Sequence, residues 1–287
     1  MRVLAFDTSN YTTSVASFDG TEGHNISRLL DVEQGALGLR QSDALFAHVK
    51  RLPELADRLF SDIGTDAGFE AVGVSTRPRA VEGSYMPCFL AGESQARVLG
   101  AALGVPVLPF SHQQGHIAAS LWGSGHMELM DEPHLAWHLS GGTTDISAGQ
   151  LIDRTGKLLG LPFPSGKHID ALSRSAQDRQ VFRVKVQGTT FSLSGVQNKV
   201  EQYHAAGNSP EETAGYALRC LIGAIVRATE NALLEYPGSS VVFAGGVASN
   251  TLLRSSCAAL PAVFCPPQFA TDNALGVAVL TWRALHG

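Results

Sequence analysis

Residues 2–20 read Arg2-Val-Leu-Ala-Phe-Asp-Thr-Ser-Asn-Tyr-Thr-Thr-Ser-Val-Ala-Ser-Phe-Asp-Gly20, and their pattern sets the expected topology of the amino-terminal sheet. Two runs of β-forming residues, 2–9 and 12–18, flank a short polar turn, and the final Asp-Gly pair is a turn signal. This pattern predicts an antiparallel hairpin. A third strand is expected through Ile26.

Strand and helix patterns alternate along the rest of the chain. In the first half we expect a helix at 43–63, a strand at 72–75, a helix at 89–103 and a strand at 106–109. In the second half we expect a strand at 135–139, helices near 150–159 and 168–176, a strand at 241–244, a helix at 250–259, a strand at 263–265 and a helix at 271–285. Long connections between strands favour crossover helices. The sequence therefore predicts a two-lobed α/β protein with a mixed sheet in each lobe.

Composition excludes several classes of protein. The chain has 287 residues, 44% of them hydrophobic, and a net charge of −5, which argues against a surface that attracts nucleic acid or anionic lipid everywhere. No apolar run approaches the roughly 18 residues of a spanning helix, and no signal segment is recognisable, so we expect a cytoplasmic protein without a membrane partner. The four cysteines show no metal or disulfide spacing and are expected to be buried thiols.

Two histidines four residues apart form the first candidate site. The segment His112-Gln-Gln-Gly-His116 follows a predicted strand and opens a helical stretch, so both imidazoles fall on one helix face and suit metal chelation. Chance is the alternative, because His134 and His138 show the same spacing in a strand pattern. Metal sites commonly add a carboxylate, and Asp272 is the candidate, with helix N-cap as its alternative role.

Glycine-containing turns form the second candidate site. Three of them stand at predicted strand ends: Ser140-Gly-Gly-Thr-Thr144, Pro164-Ser-Gly166 and Ala244-Gly-Gly-Val-Ala-Ser-Asn250. Glycine permits a close approach of backbone N–H groups to phosphate, and a following helix start favours anions. One such turn is weak evidence for a phosphate site. Three of them, together with the amino-terminal hairpin, fit a protein that binds phosphate between two lobes.

Taken in order, these motifs resemble the tRNA threonylcarbamoyladenosine transferase family, also called the glycoprotease or peptidase M22 family, within the actin-like ATPase superfamily. The resemblance is carried by Asp7-Thr-Ser9, the two histidines, Ser140-Gly-Gly142, the segment 148–160, Phe191-Ser-Leu-Ser-Gly195, the segment 244–250 and Thr271-Asp-Asn273. It implies a two-lobed actin-like, ribonuclease H-like α/β fold. Lobe I would comprise residues 1–108, completed by the helix 272–287, and lobe II would comprise 109–271 with the metal and nucleotide turns.

The resemblance also implies ligands and the residues that bind them. One divalent transition metal, iron or zinc, would be held by His112, His116 and Asp272 beside the phosphates of an adenine nucleotide or acyl-adenylate. The nucleotide or substrate would be bound by Asp7, Ser140, Gly141, Gly142, Asp153, Gly166, Asp170, Gly245, Gly246 and Asn250. In this set the glycine pairs at 141–142 and 245–246 line the phosphates, Asp153 and Asp170 take the ribose, and Gly166 and Asn250 lie close to the adenosine. For each aspartate the alternative is a helix cap or a surface charge.

The implied reaction is the transfer of a threonylcarbamoyl group from its adenylate to N6 of adenosine 37 in tRNA, an acyl transfer that needs no side-chain nucleophile. Peptidase activity finds no support, because Gln113 stands where a His-Glu-x-x-His motif needs its glutamate.

The implied partners are tRNA, a companion ATPase and a non-catalytic paralogue, in a dimer or hetero-complex. Scattered basic candidates for tRNA are Arg77, Arg79, Arg154 and Lys157.

Several positions depart from the family pattern. The first turn has lost two carboxylates of Glu-Thr-Ser-Cys-Asp-Glu-Thr, and only residues 143–147 connect the Ser-Gly-Gly turn to the next helix, which indicates a missing hairpin. His138 occupies the place of a tyrosine that approaches the metal in archaeal-type members, so it is either a fourth ligand or a strand-buried histidine. An alternative function therefore stays open: a nucleotide- and metal-binding paralogue that acts as a partner or regulatory ATPase module.

Overall fold

The structure, a computed structural model, describes residues 1–9, 11–31, 39–64, 68–139, 146–270 and 273–287. Contacts between Cα atoms divide the chain into two compact units. Among the described residues, the first unit contains those up to 130 and from 268 onward, and the second unit contains 131–267. No helix in these ranges combines the length and the apolar character needed to span a bilayer.

The described elements alternate as the sequence predicts. The strands are β1 (Arg2–Asp7), β2 (Thr12–Phe18), β3 (Gly23–Leu29), β4 (Phe69–Arg77), β5 (Val107–Ser111), β6 (Leu135–His138), β7 (Val186–Gln187), β8 (Thr190–Phe191), β9 (Val241–Ala244) and β10 (Ala262–Phe264). The α-helices are α1 (Gln41–Ile63), α2 (Leu90–Leu103), α3 (His112–Ser124), α4 (Ala148–Leu158), α5 (Gly166–Ser173), α6 (Ser194–Ala205), α7 (Pro210–Glu235), α8 (Thr251–Ser256), α9 (Pro267–Ala270) and α10 (Leu275–His286). Short 3-10 helices cover Pro87–Phe89, Met127–Met130 and Gly246–Ser249.

The first unit is built on one five-stranded sheet in the order β3-β2-β1-β4-β5. The amino-terminal hairpin is antiparallel, whereas β4 and β5 are parallel to β1, so the predicted mixed sheet is confirmed here. Alternate side chains of β1 face opposite layers. Leu4 and Phe6 pack with α1 residues such as Leu55, while Val3 and Ala5 pack with the apolar face of α10.

Helices α3 and α10 pack against each other with almost no space between their backbones. A Cβ placed on Gly276 of α10 would stand 1.8 Å from the carbonyl oxygen of Gly115 in α3, so only glycine permits this approach. Because α3 is seated on α10 and β5 pairs with β4, residues 109–130 belong to the first unit. The division thus differs from the expected boundary after residue 108.

The second unit has a smaller sheet of β10-β9-β6, packed on a long helix. Both strand pairs of this sheet are parallel, and the antiparallel pair β7–β8 forms a separate ribbon. The mixed sheet expected in this half is therefore not found among its described strands, in keeping with the short connector at 143–147. Helix α7 supplies much of the core through residues such as Leu221 and Ile225, which pack in one cluster with Phe243 of β9.

Three elements of the second unit were not expected from the sequence: α6, α7 and the β7–β8 ribbon. Helix α7 carries a clear start, since the Ser209 hydroxyl accepts the N–H of Glu212, Pro210 occupies the first turn, and Glu211 adds favourable charge. Its interior is apolar on most sides, and this obscures the helical period. The four cysteines are buried thiols, as predicted.

We predict that Gly276→Ala lowers the free energy of unfolding by about 1–3 kcal/mol, because the added methyl group must push α10 away from α3. The measurement is urea unfolding of the full chain. The matched control is Gly223→Ala on α7, where the nearest atom to the new Cβ, Nη1 of Arg227, lies at 3.5 Å. That change should be neutral or stabilise by up to about 1 kcal/mol. Equal midpoints for the two variants would contradict the close packing.

Candidate metal centre and nucleotide turns

The two histidines of the candidate metal centre are held at the start of α3 by a capping box. The Ser111 hydroxyl accepts the N–H of Gln114 at 3.2 Å, and the Gln114 side-chain oxygen accepts the N–H of Ser111 at 2.9 Å. These bonds fix the first helical turn directly after β5. His112 and His116, one turn apart, therefore lie on the same face of the helix, as their spacing predicts.

A buried carboxylate orients the first of these histidines. Asp7 ends β1, is 1% exposed, and its Oδ2 lies 2.8 Å from Nδ1 of His112. The other oxygen, Oδ1, accepts the N–H of Ser9 at 2.9 Å. A proton on Nδ1 of His112 satisfies the carboxylate and leaves the Nε2 lone pair available. Asp7 was expected among the nucleotide-binding residues, and here it contacts the metal-site histidine.

The two imidazoles present their Nε2 atoms to each other. These nitrogens are 2.9 Å apart, the ring centroids are 4.4 Å apart, and His116 is almost fully buried. Imidazole nitrogens at about 2.0–2.1 Å from one ion lie roughly 3.0–3.4 Å from each other, so an opening of a few tenths of an ångström would admit a metal. A carboxylate on the far nitrogen of a ligating histidine is the usual outer partner in such sites. This donor set fits a divalent transition metal.

The third predicted ligand, Asp272, lies outside the described residues, as do Ser140, Gly141 and Gly142. The residue that follows Asp272 bears on its alternative role. Oδ1 of Asn273 accepts the N–H groups of Leu275 and Gly276 at 3.1 and 3.4 Å, so Asn273 caps the start of α10.

A further histidine near this site was not expected from the sequence. His48 is fully buried in α1, and its Nδ1 lies 2.8 Å from the Thr13 hydroxyl. Burial lowers the pKa of His48 to about 4, although the negative charge of Asp7 acts in the opposite direction. His48 is therefore neutral at pH 7. Its place on the apolar face of α1 makes it look like an ordinary core residue in the sequence.

In the second unit, the Gly245-Gly246 turn lies at the carboxyl edge of the parallel sheet. It follows β9, the central strand, and Gly245 has φ +89°, a conformation that side chains disfavour. A Cβ on Gly246 would meet no atom within 4 Å, so the backbone there is approachable. His138 ends β6 in register with Ala244, which places it at the same edge. Ligands of open α/β sheets bind at such edges.

The predicted ribose residues Asp170 and Asp153 both hold backbone turns. Oδ1 of Asp170 accepts from Nδ2 of Asn250 at 2.8 Å and from the N–H and hydroxyl of Thr251 at 2.9 Å each, so it ties α5 to the start of α8. Oδ1 of Asp153 accepts the N–H of Ser165 at 2.8 Å, and burial raises the pKa of Asp153. The structure brings Asp170 and Asn250 together, in the geometry of the helix-cap alternative.

Comparison with known proteins identifies the family. A family model described as tRNA N6-adenosine threonylcarbamoyltransferase matches residues 34–279. The chain belongs to this family. A family member from Streptococcus suis (strain 05ZYH33) is 30% identical over 258 residues, which cover 78% of this chain and 77% of the relative. Another, from Carboxydothermus hydrogenoformans, is 30% identical over 315 positions that cover 99% of this chain and 93% of the relative.

Solved structures show the fold alone. Full-length HypF in the phosphate- and nucleotide-bound form has a TM-score of 0.63 at 13% identity, covering 99% of this chain and 47% of its own. HypF from T. kodakarensis has a TM-score of 0.61 at 14% identity, covering 100% and 48%. Together with family membership, this likeness confirms the predicted α/β fold of the actin-like ATPase class.

The contact between Asp7 and His112 generates a prediction about metal affinity. We predict that Asp7→Asn weakens zinc binding by about 10- to 100-fold, because the neutral amide no longer increases the basicity of the His112 ring. The measurement is a competition titration of the purified full chain with a chromophoric chelator. The matched control is Asp19→Asn in the same unit, whose carboxylate accepts backbone N–H groups of Thr21 and Glu22. Equal zinc affinities in the two variants would refute an orienting role for Asp7.

Proposed function

We propose that this chain transfers a threonylcarbamoyl group from its adenylate to N6 of adenosine 37 in tRNA. Family membership supports this proposal, and the observation that carries it is the hydrogen-bonded series of buried Asp7, partly buried His112 and buried His116, which joins the end of β1 to the start of α3. In the reaction, the adenine N6 forms a bond to the carbamoyl carbon and loses a proton. The bond from that carbon to the phosphate oxygen breaks, and AMP leaves with the electron pair.

The metal proposed for this site is one divalent ion, iron or zinc, held by His112, His116 and Asp272. His138 stays a candidate fourth ligand. When bound, such an ion supplies Lewis-acid charge for phosphate and carbonyl oxygens. The contribution of Asp7 is to keep the proton of His112 on Nδ1, so that Nε2 presents its lone pair.

We further propose that the adenine nucleotide or acyl-adenylate contacts the glycine turns. Gly245 and Gly246 would approach its phosphates, joined by Ser140, Gly141 and Gly142, while Gly166 and Asn250 would lie near the adenosine. Asp153 and Asp170 would take the ribose. Support for the last role comes from Oδ2 of Asp170, whose partner is the exposed side chain of Arg174 at 2.6 Å, an ion pair that a ribose hydroxyl can replace at small cost.

Gly246 offers a direct test of nucleotide binding. We predict that Gly246→Val weakens ATP or AMP binding at least about tenfold, or about 1.4 kcal/mol, because the side chain fills the space that a phosphate needs. The fold should tolerate this change, since a Cβ there meets no neighbour and the backbone has no positive φ. Calorimetry with metal present measures the affinity.

The control for this titration is Gly68→Val, at another open glycine without positive φ, in the first unit. It should leave the affinity unchanged. If Gly246→Val binds the nucleotide with wild-type affinity, this turn is not part of the nucleotide site. If the wild-type protein shows no heat of binding with any adenine nucleotide, the proposal that it binds nucleotide is wrong.

Partners follow from the proposed reaction. We propose that tRNA is the acceptor, that the reaction takes place in the cytoplasm, and that a companion ATPase and a non-catalytic paralogue assist this chain. The net charge of −5 supports a need for help, because phosphate contacts must come from local basic residues or from another subunit.

A second candidate function is a nucleotide- and metal-binding paralogue without transfer activity. Two observations support this alternative function. The described sheet of the second unit lacks antiparallel strands, and the alignment with the Carboxydothermus hydrogenoformans relative spans 315 positions, more than the 287 residues of this chain. The relative thus contains segments that this chain lacks. Such a segment can help to exclude water from a hydrolysable adenylate.

A reconstituted assay separates the two functions. The mixture contains threonine, bicarbonate, ATP, an adenylate-forming synthase of the pathway, unmodified tRNA and this chain, and the nucleosides are analysed by mass spectrometry. We expect threonylcarbamoyladenosine with the wild-type chain and a loss of at least about 100-fold in the rate with His112→Ala, the scale of losing a key electrostatic group. His126→Ala, at an exposed histidine paired with Glu128, is the control and should keep full activity.

The same assay can exclude the transferase. If the wild-type chain yields no product with its partners present, while a full-length relative does, the nucleotide-binding paralogue is the correct function. If product forms equally well with His112→Ala, the proposed metal centre has no part in the reaction.

A further inference from the structure

A segment of the second unit, residues 177–188, is fixed along one face of α7 and ends with the short strand β7. At its start, both side-chain oxygens of Glu212 accept backbone N–H groups, of Gln177 at 2.7 Å and of Asp178 at 2.9 Å. At its end, Nδ2 of Asn231 donates to the carbonyl of Gly188 at 2.8 Å. These anchors lie nineteen residues apart on a continuous helix, so the segment follows α7 for about 28 Å.

Two arginines of α7 hold the middle of the segment. Nε of Arg219 donates to the carbonyl of Gln180 at 3.1 Å, and Nη2 of Arg227 donates to the carbonyl of Val184 at 2.9 Å. The Val184 side chain is buried between these contacts. Residues 177–185, which form neither helix nor strand, are thereby given a defined path, and the side chains that flank Val184 are exposed.

The side chains that the segment exposes include three basic residues and one aromatic residue. Arg179, Arg183 and Lys185 are exposed, and Phe182 is 36% exposed between them. The two acids closest to the start of the segment are already engaged: Glu212 binds the backbone, and Asp178 accepts the Tyr203 hydroxyl. Both carboxylates keep their negative charge in these hydrogen bonds, so they offset part of the positive charge at the start of the segment.

A cavity of about 480 Å³ opens on the same surface. Its lining includes three cations, Arg183, Lys185 and Arg227, together with Glu230 and the Asn231 amide. The excess of positive charge contrasts with the net charge of −5 for the whole chain. A local concentration of arginine and lysine on an otherwise acidic protein is the electrostatic footprint of a polyanion site.

We propose that Arg179, Arg183, Lys185 and Arg227, with Phe182, form a surface that binds the RNA backbone of the acceptor. This inference rests on the proposed function for its choice of RNA. The cations would contact phosphates, and the exposed phenyl ring would stack on an unpaired base. We call these five residues the basic strip.

The place of the basic strip in the fold suits an acceptor whose reacting base lies near Asp170. Helix α5 carries Asp170 and ends at Ser173, and Arg174, which pairs with Asp170, leads directly into the segment. Acidic protein is the other class of polyanion. RNA is favoured because an aromatic side chain between arginines matches the pairing of stacking and phosphate contact that single-stranded RNA requires.

The test is the binding of a fluorescently labelled, unmodified tRNA transcript to the full chain, followed by anisotropy over a range of salt concentrations. Arg183→Ala/Lys185→Ala should weaken binding at least about tenfold at low ionic strength, and the slope of log affinity against log salt should fall by about two. Both side chains are exposed, so unfolding measurements should show wild-type stability.

The matched control is Lys50→Ala/Arg58→Ala, which removes the same charge from exposed positions of α1. It should change tRNA affinity by less than about twofold. Equal weakening in both double variants would show an effect of net charge only and overturn the proposal. So would a wild-type chain that fails to bind tRNA at low ionic strength.

An acidic-protein surface has its own signature. If the strip variant binds tRNA like the wild type but loses binding of poly-glutamate, the RNA assignment is wrong. The binding measurement needs no turnover. A chain that makes no threonylcarbamoyladenosine therefore refutes the proposed function, but this result does not tell whether the basic strip binds tRNA. Even in that case, a loss of tRNA binding in the strip variant alone supports the basic strip as an RNA-binding surface.

Discussion

The hydrogen bond between Asp7 Oδ2 and His112 Nδ1 is the contact on which the proposed chemistry depends. It joins the end of β1 to the start of α3, and it forms because β1, β4 and β5 are parallel and bring their carboxyl ends to one edge of the sheet. The buried carboxylate sets the tautomer of His112, and the capping box sets the position of its ring. As a result, the imidazoles of His112 and His116 face each other with their Nε2 atoms.

The two units contribute different chemistry. The first unit offers nitrogen donors, and the close approach of Gly115 and Gly276 fixes α3 on α10, the helix that directly follows the Asp272 region. The second unit offers backbone N–H groups at glycine turns, with Asp170 bracing the turn at Asn250. The proposed acyl transfer from an adenylate requires both a metal site and an anion site. The same unit carries the basic strip along α7, which we propose as the surface that contacts the RNA.

The sequence reveals features that depend on short spacing, and it misses those that depend on distant contacts. The hairpin, the alternation of strands and helices, and the position of His112 and His116 on one helix face are all local patterns. The contact of Asp7 with His112 joins residues 105 positions apart, so only the sheet order could disclose it. The carboxylate of Asp170 suits a ribose and a helix start equally well, and the sequence cannot separate these roles. The seating of α3 on α10 likewise explains why the lobe boundary lies beyond residue 108.

X-ray absorption spectroscopy of the full chain, purified without chelator, tests whether His112 and His116 bind a metal. We expect an iron or zinc edge and the scattering pattern of two imidazole rings whose nitrogens lie at about 2.0–2.1 Å from the metal, completed by oxygen ligands. Replacing both His112 and His116 by alanine should remove the imidazole signal. A bound metal surrounded by oxygen or sulfur alone, or an imidazole signal unchanged in the double variant, would rule out a metal centre at these two histidines.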